Sequence, residues 1–175
     1  MEFSTNGGAG AGLEPETTNQ GEAVVIRQVR YDSVVAQALI ADALADLGAR
    51  YGGPGDETPV DPEEFVPPHG AFLVAYLDHQ PVACGGWRTF AGDPTVAELK
   101  RMYTRPQARR RGVARRVLAA VEESARSHGR HRMILECGQR QPEAISLYLA
   151  AGYHRIPDFG YYRGSPEVVS LGRDL

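Results

Sequence analysis

The chain has 175 residues, 42% of them hydrophobic, which is enough to bury one sizeable core and favours a single domain. Its formal net charge of −3 gives no global sign of a polyanionic partner. No apolar run approaches the length of a membrane span, and the N-terminus lacks the regions of a secretory signal, so we expect a cytoplasmic protein without membrane attachment. Cys84 and Cys137 have apolar neighbours and no CxxC spacing, which favours buried thiols over reactive thiols, a disulfide or a zinc site.

Residues 1–22 are rich in Gly, Thr, Asn and Glu and contain few large apolar groups, so they cannot offset the entropy cost of ordering. We therefore predict a flexible tail over residues 1–22 and one domain over residues 23–175. In its first half, hydrophobic runs indicate strands, and a helical pattern between a capping residue and a glycine indicates a helix. The elements predicted here are strands at residues 24–29, 72–77 and 82–88, a helix from Asp32 or Ser33 to Gly48, and a helical turn at residues 62–65.

The second half of the domain alternates strands with helices. A strand ends before Pro106, a strongly amphipathic helix opens at Gly112, and a later helix has Pro142 in its first turn and ends at Gly152. Because strands come first and are followed by strand–helix–strand–helix, we predict an α/β (α+β) fold, with one mixed sheet covered by helices. The strands predicted in this half are residues 95–104, 133–137 and 168–171.

Arginines crowd the segment that leads into the helix at Gly112. Helix N-termini carry partial positive charge and unpaired N–H groups, and each cation there costs about 0.3–1 kcal/mol. The cluster therefore predicts a bound anion such as phosphate, which Gly112 and the small Ala114 would let approach the backbone. A solvated basic turn and a nucleic-acid patch are the alternatives, and the lack of interleaved aromatic residues argues against the patch. The arginines are Arg105, Arg109, Arg110, Arg111, Arg115 and Arg116.

Two segments of this half carry a family resemblance. The pattern Arg109-x-x-Gly112-x-Ala114 resembles the pyrophosphate-binding signature Q/R-x-x-G-x-G/A of the GNAT superfamily of N-acetyltransferases. Residues 142–153, which read PEAISLYLAAGY, are similar to the second CoA-binding segment of that family. The resemblance implies a single-domain GNAT-like fold, with a mixed, mostly antiparallel sheet, one splayed parallel strand pair and flanking helices. Within the superfamily, the chain resembles a subgroup of small bacterial enzymes whose substrates are uncharacterised.

The same resemblance implies that acetyl-CoA is the co-substrate and that it lies between the strands at residues 96–104 and 133–137. Main-chain groups of Met102 and Tyr103 would hold the pantetheine amides, and a backbone N–H near Met102 would stabilise the oxyanion. Gln141 stands where the family often has Asn, which affects one contact with the pantetheine arm. The expected cofactor-binding residues are Met102, Tyr103, Arg109, Arg110, Arg111, Gly112, Val113, Ala114, Arg115 and Gln141.

Two proton transfers remain for side chains to perform. Tyr148 matches the family's usual acid for the departing thiolate, with a core aromatic role as the alternative. Glu98 is a candidate base for the amine, with an ion pair to Lys100 or an arginine as the alternative. No nucleophile motif is present, and the histidine spacing predicts no metal site.

The acceptor is the least determined part of the prediction. Residues 51–70 and 156–164 are expected to build its pocket, with Tyr161 and Tyr162 in its wall. Acidic residues of the first segment either attract a cationic amine or form a solvated loop. We expect a small-molecule primary amine as acceptor and no nucleic-acid partner, and a homodimer is common among GNAT proteins. A non-catalytic acyl-CoA-binding regulatory module is the alternative function. The acidic residues are Asp56, Glu57, Asp61, Glu63 and Glu64.

Overall fold

A computed structural model of the chain describes residues 23–175, so the predicted N-terminal tail lies outside the described residues. The strands are β1 (Val25–Val29), β2 (Gly70–Leu77), β3 (Gln80–Thr89), β4 (Val96–Thr104), β5 (Arg132–Gly138), β6 (His154–Arg155) and β7 (Val168–Asp174). The helices are α1 (Val34–Tyr51), α2 (Val113–Ser127) and α3 (Pro142–Ala150), with single 3-10 turns at Pro62–Phe65 and Pro106–Ala108.

The strands form one sheet in the order β1-β2-β3-β4-β5-β7-β6. Every neighbouring pair is antiparallel except β4 and β5, which run parallel. The predicted mixed, mostly antiparallel sheet with one parallel pair is therefore confirmed. The parallel pair lies in the middle of the sheet, where it has neighbours on both sides.

Helices cover both faces of the sheet. α2 buries a stripe with helical spacing, including Val113, Val117 and Val121, against one face, where the buried Tyr148 of α3 joins the same cluster. α1 packs Leu39 against the other face, together with aromatic residues. Each such fully buried apolar side chain contributes about 1.5–3 kcal/mol. The two cores hold the central strands between them and so fix the position of the parallel pair.

The first helix ends later than its sequence indicates. Ser33 caps its start, because the Ser33 side chain accepts a hydrogen bond from the Ala36 N–H. The predicted end at Gly48 is wrong: α1 continues to Tyr51, and Gly52, with φ 81°, follows it. A Cβ on Gly48 would lie 2.8 Å from the Gly53 carbonyl oxygen, so this glycine serves the close return of the chain.

Two properties of the described residues bear on function. Among residues 23–175, no group of three or more His, Cys, Asp or Glu side chains converges as a metal site. The helices in that range are also too short or too polar to cross a membrane.

Candidate active site

A cavity of about 330 Å³ opens where the parallel strands diverge. β4 and β5 pair at only three positions, the last being Glu98 with Ile134, although both strands continue beyond it. Beyond this point β4 and β5 are no longer paired, and the gap between them forms the floor of the cavity. The end of α1 and the segment before β7 form its sides. The cavity is lined by residues that include Leu44, Leu47, Tyr51, Asp56, Glu57, Lys100, Arg101, Met102, Glu136, Cys137, Gln141, Tyr148 and Tyr162.

A bulge in β4 shapes one lip of this gap. Arg101 and Met102 together oppose the single residue Gly85 of β3, and Arg101 takes the left-handed conformation with φ 57°. A Cβ on Gly85 would lie 2.3 Å from the Met102 sulfur, so the glycine makes room for the Met102 side chain. A bulge bends its strand, which places the backbone of Met102 and Tyr103 in the part of β4 that has no β5 partner.

The N-terminus of α2 is uncapped in the described part of the chain. Gly112 precedes the helix with φ 74°, no side chain caps the first turn, and no acidic residue lies in it. The N–H groups of Gly112, Val113 and Ala114 donate to no other atom within residues 23–175. Several N–H groups and the helix dipole therefore converge at one exposed place, which suits a phosphate.

Two arginines of the cluster have acidic partners that the sequence pattern missed. Arg105 pairs with Asp42 at 2.8 Å and Arg109 with Asp46 at 3.3 Å. Both acids lie on α1, about 63 residues earlier in the chain, so local sequence gives no sign of them. Acidic residues of α1 therefore offset the charge of these two arginines. The other described arginines with exposed side chains at this end include Arg110, Arg115 and Arg116, and the structure gives these three no ion pair within residues 23–175.

Tyr148 lies at the cavity, on α3, as the predicted acid should. Its side chain is buried, and burial raises the pKa of its hydroxyl, so the group stays protonated through the neutral range. That hydroxyl makes no hydrogen bond to any other residue in the region described. Its neighbour Cys137 also lines the cavity, and burial raises the pKa of the thiol to about 11. Cys137 is therefore a protonated thiol at neutral pH.

Glu98 is placed differently from its predicted role as a base. It is 4% exposed, is not part of the cavity lining, and accepts from Lys100 at 2.9 Å and from Arg88 at 2.8 Å. This arrangement is the ion pair that was the alternative for Glu98. Two cations hold its carboxylate, and this does not support Glu98 as the group that takes a proton from a substrate.

Glu136 on β5 is a candidate that the sequence did not indicate. It lines the cavity, and its Oε1 accepts a hydrogen bond from the Gly160 N–H at 3.2 Å. Its Oε2 is enclosed and has no hydrogen-bond partner in the described chain. Burial raises the pKa of this carboxyl group, and the charge of Lys100 opposes the rise. A carboxyl group with a raised pKa in a cavity can accept a proton at near-neutral pH.

The acidic segment after α1 divides into two roles. Asp56 and Glu57 line the cavity, whereas Asp61 caps the 3-10 turn, Glu63 pairs with Arg30 and Glu64 pairs with Arg88. Of the five acidic residues, only Asp56 and Glu57 therefore lie where they could meet a molecule in the cavity.

Asp56 belongs to a buried network with the β4 bulge. Its carboxylate pairs with the Arg101 guanidinium and accepts from the Thr58 hydroxyl at 2.6 Å and the Tyr162 hydroxyl at 3.0 Å. Burial opposes ionisation, but Arg101 and Thr58 hold the pKa of Asp56 below its usual range. Tyr162 also accepts from the Glu57 N–H at 2.8 Å and so joins the two loops over the cavity. Tyr162 is thus the wall residue that was predicted, whereas Tyr161 is 57% exposed.

The end of α1 closes a second side of the cavity. The Tyr51 hydroxyl accepts from the Arg140 N–H at 2.8 Å, and the Arg140 guanidinium lies over the Tyr51 ring. Gly138 allows this contact, because a Cβ there would lie 2.0 Å from the Tyr51 hydroxyl oxygen. Specific contacts between α1 and the β5–α3 connection thus hold this wall of the cavity in place.

Known proteins with this arrangement are acetyltransferases. The profile of the acetyltransferase (GNAT) family matches residues 39–153. An IAA acetyltransferase of Azospirillum brasilense is 33% identical over 112 residues, which are 64% of this chain and 71% of the relative. The uncharacterised N-acetyltransferase YjgM of Escherichia coli is 30% identical over 126 residues, 67% of this chain and 75% of the relative.

Solved structures agree. A Klebsiella pneumoniae protein, provisionally assigned as an acyl-CoA N-acyltransferase, superimposes with a TM-score of 0.72 and 27% identity, over 87% of this chain and 97% of that one. GNAT proteins use acetyl-CoA as co-substrate, and the splayed strand pair, the open helix N-terminus and the cavity between them are present here. The chain belongs to the GNAT family and is an acyl-CoA-dependent acetyltransferase.

Proposed function

We propose that the protein transfers the acetyl group of acetyl-CoA to a primary amine, which attacks the thioester carbon directly. The observation that carries this proposal is the placement of two titratable side chains at the cavity. Tyr148 belongs to the cluster on the α2 and α3 face of the sheet, and Glu136 lies on a strand position that faces the α1 side. Tyr148, as proton donor for the leaving thiolate, and Glu136, as proton acceptor for the amine, would thus act from opposite sides of one gap.

The cofactor would enter along β4. In this proposal the N–H groups from Arg110 to Ala114 hold the pyrophosphate, with Arg109 and Arg115 beside it. The open helix N-terminus supports this, since the N–H groups of Gly112, Val113 and Ala114 have no partner among the described residues. Arg109 would exchange part of its exposed pairing with Asp46 for a phosphate oxygen, a small loss because exposed pairs contribute little.

The pantetheine arm would lie along the lip of the gap. Backbone groups of Met102 and Tyr103 would bind its amides, because this length of β4 has no β5 partner. Gln141, which lines the cavity just before α3, would contact the arm from the other side. The Met102 N–H would then stabilise the oxyanion as the amine adds to the carbonyl carbon.

Proton movements complete the reaction. The ammonium of the acceptor would give its proton to Glu136, the amine nitrogen would bond to the carbonyl carbon, and the carbon–sulfur bond would break. Tyr148, whose hydroxyl is protonated at neutral pH, would donate its proton to the departing thiolate. The proton that the nitrogen still carries after it bonds to the carbonyl carbon would then pass to the Tyr148 oxygen, so that the tyrosine is restored and the amide is neutral. Glu136 replaces Glu98 as the proposed base, because Lys100 and Arg88 occupy the Glu98 carboxylate.

A small molecule suits the acceptor side. Tyr162 joins the two loops there through Asp56 and Glu57, and Tyr51 lines the α1 side of a cavity of about 330 Å³. The expected homodimer and cytoplasmic location stay predictions, and sedimentation and fractionation would test them.

The experiment compares Tyr148→Phe with the matched variant Tyr153→Phe. Acetyl-CoA binding is measured by calorimetry, and thiol release is followed over a panel of primary amines. Tyr148→Phe should lower kcat by about 100-fold or more, with little change in the Kd for acetyl-CoA. Tyr153→Phe should reduce stability but not kcat, because its hydroxyl donates to Glu122, which does not line the cavity. Tight binding of acetyl-CoA without release for any amine would refute the proposal and favour the non-catalytic module.

A further inference from the structure

Lys100 is a buried cation with unused hydrogen-bond donors at the cavity. Its side chain is 7% exposed, and the residue belongs to the cavity lining. An ammonium group has three N–H donors, and in the described chain the Nζ of Lys100 has one partner, Glu98 Oε1 at 2.9 Å. Burial of a charge is costly unless its donors are satisfied. A bound molecule with hydrogen-bond acceptors could therefore pair with the remaining N–H donors of Lys100.

Lys100 faces Glu136 across the gap between the strands. The last paired rung joins Glu98 to Ile134, and the two residues lie two positions further along the parallel strands, on the same face as that rung. They form no ion pair within 4.0 Å, yet the charge of Lys100 acts on the Glu136 carboxyl group. A cationic group and an acidic group thus stand on opposite lips with space between them.

The other cation at this place is already satisfied. The Arg101 guanidinium pairs with Asp56 and donates to the Tyr31 hydroxyl at 3.4 Å. Beside the gap, Ala43, Leu44 and Leu47 of α1 give the cavity an apolar wall. The acceptor side therefore presents one cation with spare donors, one carboxyl group and an apolar surface.

We propose that the acceptor is a zwitterionic α-amino acid with an apolar side chain. Its carboxylate binds Lys100, its ammonium meets Glu136, and its side chain contacts the wall formed by α1. This inference rests on the proposed N-acetylation and names the substrate class of the same site. The adjacent ammonium and carboxylate of an α-amino acid match the two facing lips, whereas an amine without a carboxylate leaves the Lys100 donors unpaired.

The test compares leucine with leucinamide and 3-methylbutylamine, which keep the side chain and the amine but lack the carboxylate. Thiol release from acetyl-CoA gives kcat/KM for each, expressed per concentration of the ammonium form, because the proposed site binds the ammonium and the three amines differ in pKa. Leucine should exceed both by at least about tenfold, the effect of a hydrogen bond to a charged group. Equal or faster reaction of the two analogues overturns the inference and leaves acetyl transfer to amines standing.

A variant pair tests the role of Lys100. In Lys100→Met the ratio of kcat/KM for leucine to that for 3-methylbutylamine should fall to about one, whereas Lys100→Arg should keep a preference for leucine. The Kd for acetyl-CoA reports whether each variant is folded. If a variant does not fold, the comparison of leucine with its two analogues on the wild-type enzyme still tests the inference. An unchanged ratio in folded Lys100→Met overturns the inference, because Lys100 would then act only on Glu136. No release with any acceptor refutes the proposed function as well.

Discussion

The substitution Glu136→Gln tests which carboxyl group accepts the proton. Gln keeps the shape of the side chain and an oxygen that accepts from the Gly160 N–H, but it cannot take a proton. General-base catalysis contributes about 10²–10⁴-fold. At 1.36 kcal/mol for each tenfold change in rate, this is about 2.7–5.4 kcal/mol of the barrier. We therefore expect kcat/KM to fall by at least about 100-fold.

The dependence on pH gives a sharper test than the rate alone. In the proposed mechanism Glu136 acts as the carboxylate, so kcat/KM should fall as the pH falls through its pKa, which burial raises above the ordinary value of about 4.3. In the plot of kcat/KM against pH, Glu136→Gln should lose the fall at acid pH that reports the ionisation of Glu136. Only the change that reports the ionisation of the substrate amine should remain. Glu98→Gln is the comparison: it breaks buried ion pairs and should lower the melting temperature, but the fall at acid pH should remain. Retention of that fall in Glu136→Gln would refute our assignment of the base.

Two further predictions concern the cofactor and the position of the base. Reversing charge in Arg110→Glu with Arg115→Glu should raise the Kd for acetyl-CoA by at least about tenfold in calorimetry, since charge-assisted contacts with phosphate are lost. Arg163→Glu, far from α2 in sequence, is the control, and equal affinity of both variants would contradict the phosphate site. Gly160→Ala should lower kcat/KM without preventing cofactor binding, because the new Cβ would lie 2.2 Å from Glu136 Oε2 and displace the carboxyl group. A rate like that of the wild type would show that the position of Glu136 is unimportant.

Local patterns in the sequence predict the order of the helices and strands well. The apolar stripe of α2 repeats with helical spacing, and Gly112 marks the start of that helix as expected. Gly48 misled the same reasoning, because a glycine after an apolar run indicates a helix end. Here it permits a contact with Gly53, which lies in the returning chain. The periodicity of apolar residues along the sequence does not show that two segments of backbone lie close together.

The acceptor end depends on contacts between distant segments, so the sequence alone could not reveal it. Glu98 and Glu136 are both acidic residues in strands, and their partners lie in distant segments. Pairing of Glu98 with Arg88, and the placement of Glu136 beside Gly160, follow only from the sheet register and the loop before β7. One sign was available: Glu136 directly follows the apolar run Met133–Leu135, and a carboxyl group next to such a run in a strand is a candidate functional group.

The last prediction concerns the pair that supports the β4 bulge. Arg101 has a left-handed backbone, and its side chain is 7% exposed and pairs with Asp56. Asp56→Asn would leave a buried guanidinium without its counter-charge, a change that costs about 3–5 kcal/mol when a buried pair is broken. The amide oxygen of Asn can still accept from Arg101, so we expect the lower end of this range, measured by urea unfolding at pH 7. Glu57→Gln, an exposed neighbour, should change little.

The sign of the pH effect follows from the pKa of Asp56. Burial would raise this pKa, but Arg101 and Thr58 lower it below the value of about 3.9 in the unfolded chain. The stabilisation is therefore fully present above about pH 4 and is lost as the pH falls through the folded-state pKa. The difference in unfolding free energy between wild type and Asp56→Asn should be constant from pH 7 to about pH 5 and shrink below about pH 4. A difference that grows toward acid pH would mean that Asp56 is protonated in the folded protein, and the bulge would then need another source of stability.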